Sequence, residues 1–334
     1  MKIFVLVLFV FSFAVNSNAQ LFKYADYNPI ELGKVHWLRN YDAALLKAEK
    51  VDKPVFILFQ EVPGCSNCTK YGKNILSHPL IVEAIEDEFI PLAIYNNKKG
   101  HDGEVLKYFN EPAWNNPVVR FVSSNGSEVG PRIGNFSSTS QLLLAMQTVI
   151  KNSKKEVPNY LTLLTDEYLA KENGTDDFYL SMYCFWTGEK EIAKIKGVIA
   201  TEAGYMHGKE VVKVSFDESQ TDISKIAHKA SKKNCGDQVF TNVNVNGKIP
   251  SKKIGKYRKD GQDKYYLLHS PLKYLPMTEY QKSKVNSALG SNDDSKKYLS
   301  PRQLLLLKKS INTKNLIEED FVNTWYKTVG VSAP

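Results

Sequence analysis

The 334-residue chain has only four cysteines, Cys65, Cys68, Cys184 and Cys235, too few to hold a protein of this size as a disulfide scaffold. Beyond its first 20 residues no apolar run approaches the roughly 20 residues that a spanning helix needs. No second Cys-x-x-Cys and no His pair at ligand spacing accompanies Cys65 and Cys68, so a closed zinc site lacks its other half. His207, His228 and His269 likewise show no ligand spacing. The basic excess of +8 is not gathered into a stripe; lysines are interleaved with Asp and Glu, which points to a solvated surface and away from nucleic acid. There is no internal repeat.

What is present begins with a terminal segment. "MKIFVLVLFVFSFAVNSNAQ" combines Lys2, an apolar run from Ile3 to Val15, and small residues Ser17 and Ala19, the pattern of a cleaved export signal over residues 1–19. The expectation is a mature protein without membrane insertion, exported to a periplasm or secreted, where disulfides form and persist. The remaining length suits two domains, and the hydrophobic content is enough to give each a core.

Residues 21–151 read as one α/β unit. A helix at "YDAALLKAEK" leads to a buried strand from Val55 to Phe59, a helix interrupted at Pro79, the strand "IPLAIYN", a strand and Asn125-Gly126 hairpin in "NNPVVRFVSSNGSEVG", and a closing helix "TSQLLLAMQTVI". Charged residues 152–175, with one short helix at "YLTLLTDEYLA", read as a linker. Residues 176–334 open with strand, helix, strand, strand, helix, the order of a smaller α+β domain, and continue into an extension dense in Tyr, Leu and Pro that is expected to pack on that second domain.

Cys65 and Cys68 fall between a buried strand and the start of a helix in "FILFQEVPGCSNCTKYGKN". Free N–H groups and a partial positive charge at a helix N-terminus lower a thiol pKa, and two intervening residues allow a disulfide within one turn. A permanent structural disulfide and half a zinc site are the other readings of the pair. With "NNPVVRFVSSNGSEV", the segment resembles the thioredoxin-like family over about residues 30–151. The resemblance implies Cys65 as attacking thiol, Cys68 as resolving thiol, and Pro117 as the cis-proline that shapes the partner-binding surface. "VPGCSNC" departs from the usual motif in lacking a tryptophan before the first cysteine.

Cys184 precedes two aromatic residues in "CFWTGEKEIAKIKGVIATEAGY". A thiolate at a helix start, an aromatic wall from Phe185 and Trp186, and a nearby acid suit reduction of a methyl-bearing sulfoxide. The run resembles the A-class peptide methionine sulfoxide reductases: Cys-Phe-Trp is followed by Glu189, Gly197-Val198, Thr201 and Gly204-Tyr205 at that family's spacing, and the resemblance extends over about residues 176–250. It implies Glu210 as proton donor and Cys235 as the thiol that closes a disulfide with Cys184. Tyr183 and Thr187 stand where the family has glycine, the loop "MHGK" omits one substrate-holding tyrosine, and Val239 replaces another. A buried core cysteine at 184, a solvated strand-edge carboxylate at 210, and a helix-end or structurally bridged thiol at 235 are the alternatives.

Together these readings imply a thioredoxin-like α/β domain followed by an α+β domain resembling the sulfoxide reductase core. The expected activity is thiol–disulfide oxidoreduction, with the Cys-x-x-Cys pair regenerating the second domain; the alternative is a disulfide reductase or isomerase whose second domain only binds or scaffolds. No cofactor or metal is expected beyond a thiol electron donor. The expected partners are oxidised methionine, protein disulfides and a membrane thiol carrier as reductant.

Overall fold

The computed structural model describes residues 28–64, 66–135, 137–245, 249–308, 315–318 and 320–331. The expected export signal and Cys65 lie outside the described residues.

The first domain is organised around β1 (Val55–Gln60), apolar from Val55 to Phe59 and buried on both faces. Upstream of it, α1 (Tyr41–Val51) starts where Asn40 accepts from the Ala43 N–H at 2.8 Å. Downstream lie α2 (Ser66–Asn74), α3 (Pro79–Glu88), β2 (Ile90–Tyr95), α4 (His101–Tyr108), β3 (Val118–Val122) and α5 (Thr139–Asn152). The break expected at Pro79 separates α2 from α3, with the proline in the first turn where its missing N–H costs nothing. Sheet order is β2-β1-β3, β1 parallel to β2 and antiparallel to β3. A parallel bridge from Leu38 to Leu92 and antiparallel bridges from Val119 to Ile133 and Val122 to Glu128 widen it at both edges. Where a full second hairpin strand was expected after Asn125-Gly126, the structure has those isolated bridges.

Val55, Ile57 and Phe59 pack under α1 and α4, whereas Phe56 and Leu58 join Leu80, Ile81, Leu143 and Met146 beneath α3 and α5. That second layer does not end at the domain. Residues 152–175, expected as a linker, contain α6 (Asn159–Asn173), with Tyr160, Leu161 and Leu164 buried in the same core. The helix is charged outside, which disguises it, while its leucines cover α5.

The second sheet contains β4 (Thr175–Ser181), β5 (Val198–Met206) and β6 (Lys209–Asp217), followed by β7 (Gln238–Phe240), β8 (Ser251–Lys252) and β9 (Tyr257–Lys259), in the order β8-β7-β4-β6-β5-β9. Helices α7 (Phe185–Ile192) and α8 (Ile223–Ser231) cover one face, over Phe178, Leu180, Val212 and Val214.

The C-terminal extension carries α9 (Tyr265–Leu268), α10 (Glu279–Gly290), α11 (Pro301–Lys308) and α12 (Phe321–Val329). Its expected packing is on the second domain, and α10 does bind α7, with Ser287 Oγ donating to Lys190 O at 2.6 Å. Much of it instead returns to the first domain. Leu272, Leu306, Trp325 and Tyr326 belong to the first core, Tyr326 donates to Ser77 O at 2.7 Å, and the Arg302 N–H donates to Glu83 at 2.8 Å. Apolar side chains at Phe321, Trp325 and Tyr326 have a ready surface there, because α3 buries Leu80, Ile81 and Ile85 on that side. Among the described residues no helix is long and apolar enough to cross a membrane.

Candidate redox sites

The first site lies where β1 ends and α2 begins. Cys68, in the first turn of α2, is fully buried, and its thiol donates to Asn116 Oδ1 at 2.7 Å. The Asn116–Pro117 peptide is cis, so Pro117 lies next to the residue that receives the Cys68 thiol. Asn116 Nδ2 donates to Ala113 O at 3.2 Å and fixes the preceding turn.

Two residues behind this pair were not singled out from sequence. Gln60, fully buried at the end of β1, donates from one amide nitrogen to Glu31 O at 2.8 Å and Cys68 O at 3.2 Å. The Glu31 carboxylate, itself 6% exposed, accepts from the Gly64 N–H at 2.8 Å. A Cβ on Gly64 would lie 2.6 Å from the Cys68 Cβ and 3.1 Å from the Glu31 Cγ, so only glycine fits, and the acid sits against the thiol turn. Glu31 belongs to a 3₁₀ turn, Ile30–Leu32, laid across α2 so closely that a Cβ on Gly72 would be 2.0 Å from Ile30 O. A lone acid far upstream of the cysteines carries no local signal of this placement.

The second site gathers Cys184, Phe185, Trp186 and Glu210. Cys184 is the N-cap residue of α7 and half-buried, yet its side chain makes no capping bond. Glu210 supplies the cap from β6: its Oε2 accepts from the Phe185 N–H at 2.9 Å. The first helical turn has N–H groups without intrahelical partners, and Glu210 takes one of them.

The aromatic wall is largely used in packing. Phe185 is 3% exposed and meets Tyr205 edge to face, with centroids 5.3 Å apart. Trp186 stacks on Tyr265 of α9 at 4.1 Å, and its Nε1 donates to Asp260 at 3.4 Å. Tyr265 and Tyr266 stand in sequence only as part of a Tyr-rich stretch; the fold carries them back to α7, where Tyr265 stacks on Trp186 and meets Tyr266 edge to face at 5.6 Å. Glu189 and Thr201, two of the residues at reductase-like spacing, are buried together, with Thr201 Oγ1 donating to Glu189 at 3.4 Å. Lys264 Nζ completes that cluster at 3.0 Å from Glu189, tying α7 to the extension; burial raises the Glu189 carboxyl.

Cys235 is buried on the Leu180 side of the second core. Burial above all, then Glu191, pushes its thiol pKa up, and Cys184 is near enough to add to the rise. Both are thiols in this structure.

A cavity of about 350 Å³ beside β5 and β6 is lined by Glu202, Lys213, Lys259 and Asp263 and by no cysteine. Two of its lysines are already paired, Lys213 with Asp177 at 2.8 Å and Lys259 with Glu202 at 3.1 Å.

The β2-β1-β3 sheet flanked by helices, with a cysteine in the first turn after β1 held against a cis-proline segment, forms a thioredoxin-like α/β domain. The thioredoxin-like family model matches residues 36–124, and those residues form such a domain. Among solved structures, the chain is similar to a DsbH oxidoreductase, 17% identical over 37% of this chain and 90% of that one, with a TM-score of 0.31. It is also similar to a thioredoxin from Thermus thermophilus, 21% identical over 36% of this chain and 89% of that one, again with a TM-score of 0.31. No curated protein matches the chain.

Proposed function

We propose that the protein is an exported thiol–disulfide oxidoreductase acting through Cys65 and Cys68. The observation that carries this reading is the buried Cys68 thiol in the first turn of α2, hydrogen-bonded to the asparagine of the cis Asn116–Pro117 peptide. The Cys65 thiolate attacks one sulfur of a protein disulfide, forming a mixed disulfide and releasing one substrate thiolate. Cys68, as its thiolate, then attacks the Cys65 sulfur, releasing the second substrate thiolate and leaving the Cys65–Cys68 disulfide. The substrate gains two electrons and two protons, and an external thiol donor, in our reading a membrane carrier, restores the pair. The test is reduction of insulin disulfides by the full chain with dithiothreitol as donor: wild type accelerates it and Cys65→Ser does not. Equal rates refute the assignment.

A second reading is favoured by the Glu210 bond to the Phe185 N–H, which sets an acid beside the Cys184 helix start. Here Cys184 attacks the sulfur of methionine sulfoxide, the sulfur leaves as methionine, and oxygen stays on Cys184 as a sulfenic acid. Cys235 condenses with it, releasing water and forming a disulfide that Cys65 and Cys68 reduce. The packing of Phe185 and of the Trp186–Tyr265 stack supports the opposite assignment, a second domain that binds or scaffolds. Turnover of methionine sulfoxide by wild type but not by Cys184→Ser decides for the reductase; absence of turnover in both decides for the scaffold.

A further inference from the structure

Next to the Cys68 site the chain displays an indole that its own packing does not use. Trp114 is 82% exposed, whereas Trp325 is fully buried and Trp37 and Trp186 are half-buried. An aromatic ring of this size is ordinarily covered, and tryptophan is among the residues most concentrated at binding hot spots. The position of Trp114 is fixed by the redox site itself. Its turn is closed by Asn115 N–H donating to Pro112 O at 3.1 Å and by Asn116 Nδ2 donating to Ala113 O at 3.2 Å. Asn96 Nδ2 adds a bond to Asn115 O at 3.4 Å. The asparagine that braces the turn is the one whose Oδ1 receives the Cys68 thiol. Trp114 is thereby held two residues from the asparagine that receives the Cys68 thiol, with its own ring in solvent.

The character of the turn restricts what it meets. Its residues 112–115 are Pro, Ala, Trp and Asn, none charged. The acid that precedes them, Glu111, is 6% exposed and occupied by Arg120 at 2.6 Å and Arg132 at 2.7 Å. The turn offered beside Cys68 is therefore neutral and aromatic. We propose that Trp114 is the docking contact for the polypeptide that brings a disulfide to this site, receiving an apolar or aromatic side chain that flanks the partner's cysteine. The assignment rests on the disulfide-exchange reading and adds a preference to it: polypeptide disulfides with an apolar neighbour over those with an acidic one.

The experiment compares full-length wild type, Trp114→Ala and Trp114→Phe on two disulfide-linked peptide dimers differing only in Phe or Asp beside the cysteine, with bis(2-hydroxyethyl) disulfide as a reference lacking any side chain. Wild type favours the Phe peptide. Trp114→Ala lowers the ratio of kcat/KM for the Phe peptide over the Asp peptide about tenfold, the scale of a single hot-spot truncation, and Trp114→Phe restores most of it. A uniform loss on all three disulfides, or an unchanged ratio, overturns the proposal. If wild type reduces none of them, the exchange reading fails, and docking is judged on the Phe peptide with serine in place of cysteine. Weaker binding to Trp114→Ala by calorimetry then upholds Trp114 as a contact, and equal binding overturns it.

Discussion

Cys68 and Asn116, 48 residues apart in sequence, meet at 2.7 Å, with the thiol donating to the amide oxygen. The contact joins the first turn of α2 to the cis Asn116–Pro117 peptide, so the buried thiol has a fixed partner in a region water does not reach. Serine at position 68 lacks a sulfur to displace a partner from Cys65. Cys68→Ser is therefore expected to accumulate a mixed disulfide with a protein substrate, visible as a higher-mass band on non-reducing electrophoresis that dithiothreitol removes. Wild type should show no lasting band, and a Cys68→Ser protein that turns over normally without one sinks the division of labour between the two cysteines.

Glu31 sets the geometry from the other side. Its carboxylate accepts from the Gly64 N–H at 2.8 Å, and the residue itself is almost wholly buried. Removing the acceptor leaves that N–H without its partner, so Glu31→Ala should lower stability by about 1–3 kcal/mol, whereas Glu31→Gln, which keeps an acceptor oxygen, should cost less. Urea unfolding followed by far-ultraviolet circular dichroism checks both; equal losses in the two variants count against the hydrogen bond as the cause.

The contrast between these two residues shows what the sequence displays and what it hides. The apolar run of β1, Cys68 at the start of the helix that follows it and the Pro79 break are local signals, and each falls in the structure where the residue pattern puts it. Glu31 is a single acid in "NPIELGK", and its role arises only because the 3₁₀ turn crosses α2. The same holds for α4, which lies in the polar stretch "KKGHDGEVLKYF" with Val105 and Leu106 as its buried contribution. The extension is hidden for a related reason: its hydrophobic residues are plain to see, but the surface they select, reached through contacts such as Arg302 to Glu83 across 219 residues, has no expression in spacing. In the second domain the clustering of Cys184 with Glu210 follows from the β6 register, whereas Tyr265 and Tyr266 reach α7 only because the chain doubles back.

That return carries a pH signature. Glu83 on α3 is buried, and burial raises its pKa from 4.5 to about 7, opposed by the Ser300 hydroxyl and the Arg302 N–H at the start of α11. Its Oε2 has no hydrogen-bond partner among the described residues, consistent with the raised value. Between about 4.5 and about 7 the folded chain holds a proton that the unfolded chain has released, so this group's contribution to stability falls as pH rises through that window and levels off above it. The fall is on the order of 3 kcal/mol. Glu86, whose pKa is lowered in the same network, works in the opposite direction, so the informative quantity is the difference between wild type and Glu83→Gln. Urea unfolding across pH 4 to 8 should show that difference declining with pH; parallel profiles reject the assignment.

The two thiols of the second domain are expected to differ in reactivity, and the difference tests whether they form a relay. Cys184 is half-buried at the N-terminus of α7 and reachable by a small oxidant, whereas Cys235 is buried and burial pushes its thiol pKa up. Hydrogen peroxide should therefore oxidise Cys184 first, giving a sulfenic acid and water. In wild type the neighbouring Cys235 thiol then condenses with it, releasing a second water and forming a disulfide. Mass spectrometry of the tryptic peptides should find Cys184 joined to Cys235 with the loss of two hydrogens. In Cys235→Ser the sulfenic acid has no such partner and should be captured by dimedone at Cys184, and in Cys184→Ser neither product should form at these positions. A dimedone adduct on Cys184 in wild type as abundant as in Cys235→Ser means that the thiols do not condense, and the relay from Cys184 through Cys235 to the Cys65–Cys68 pair loses its first link.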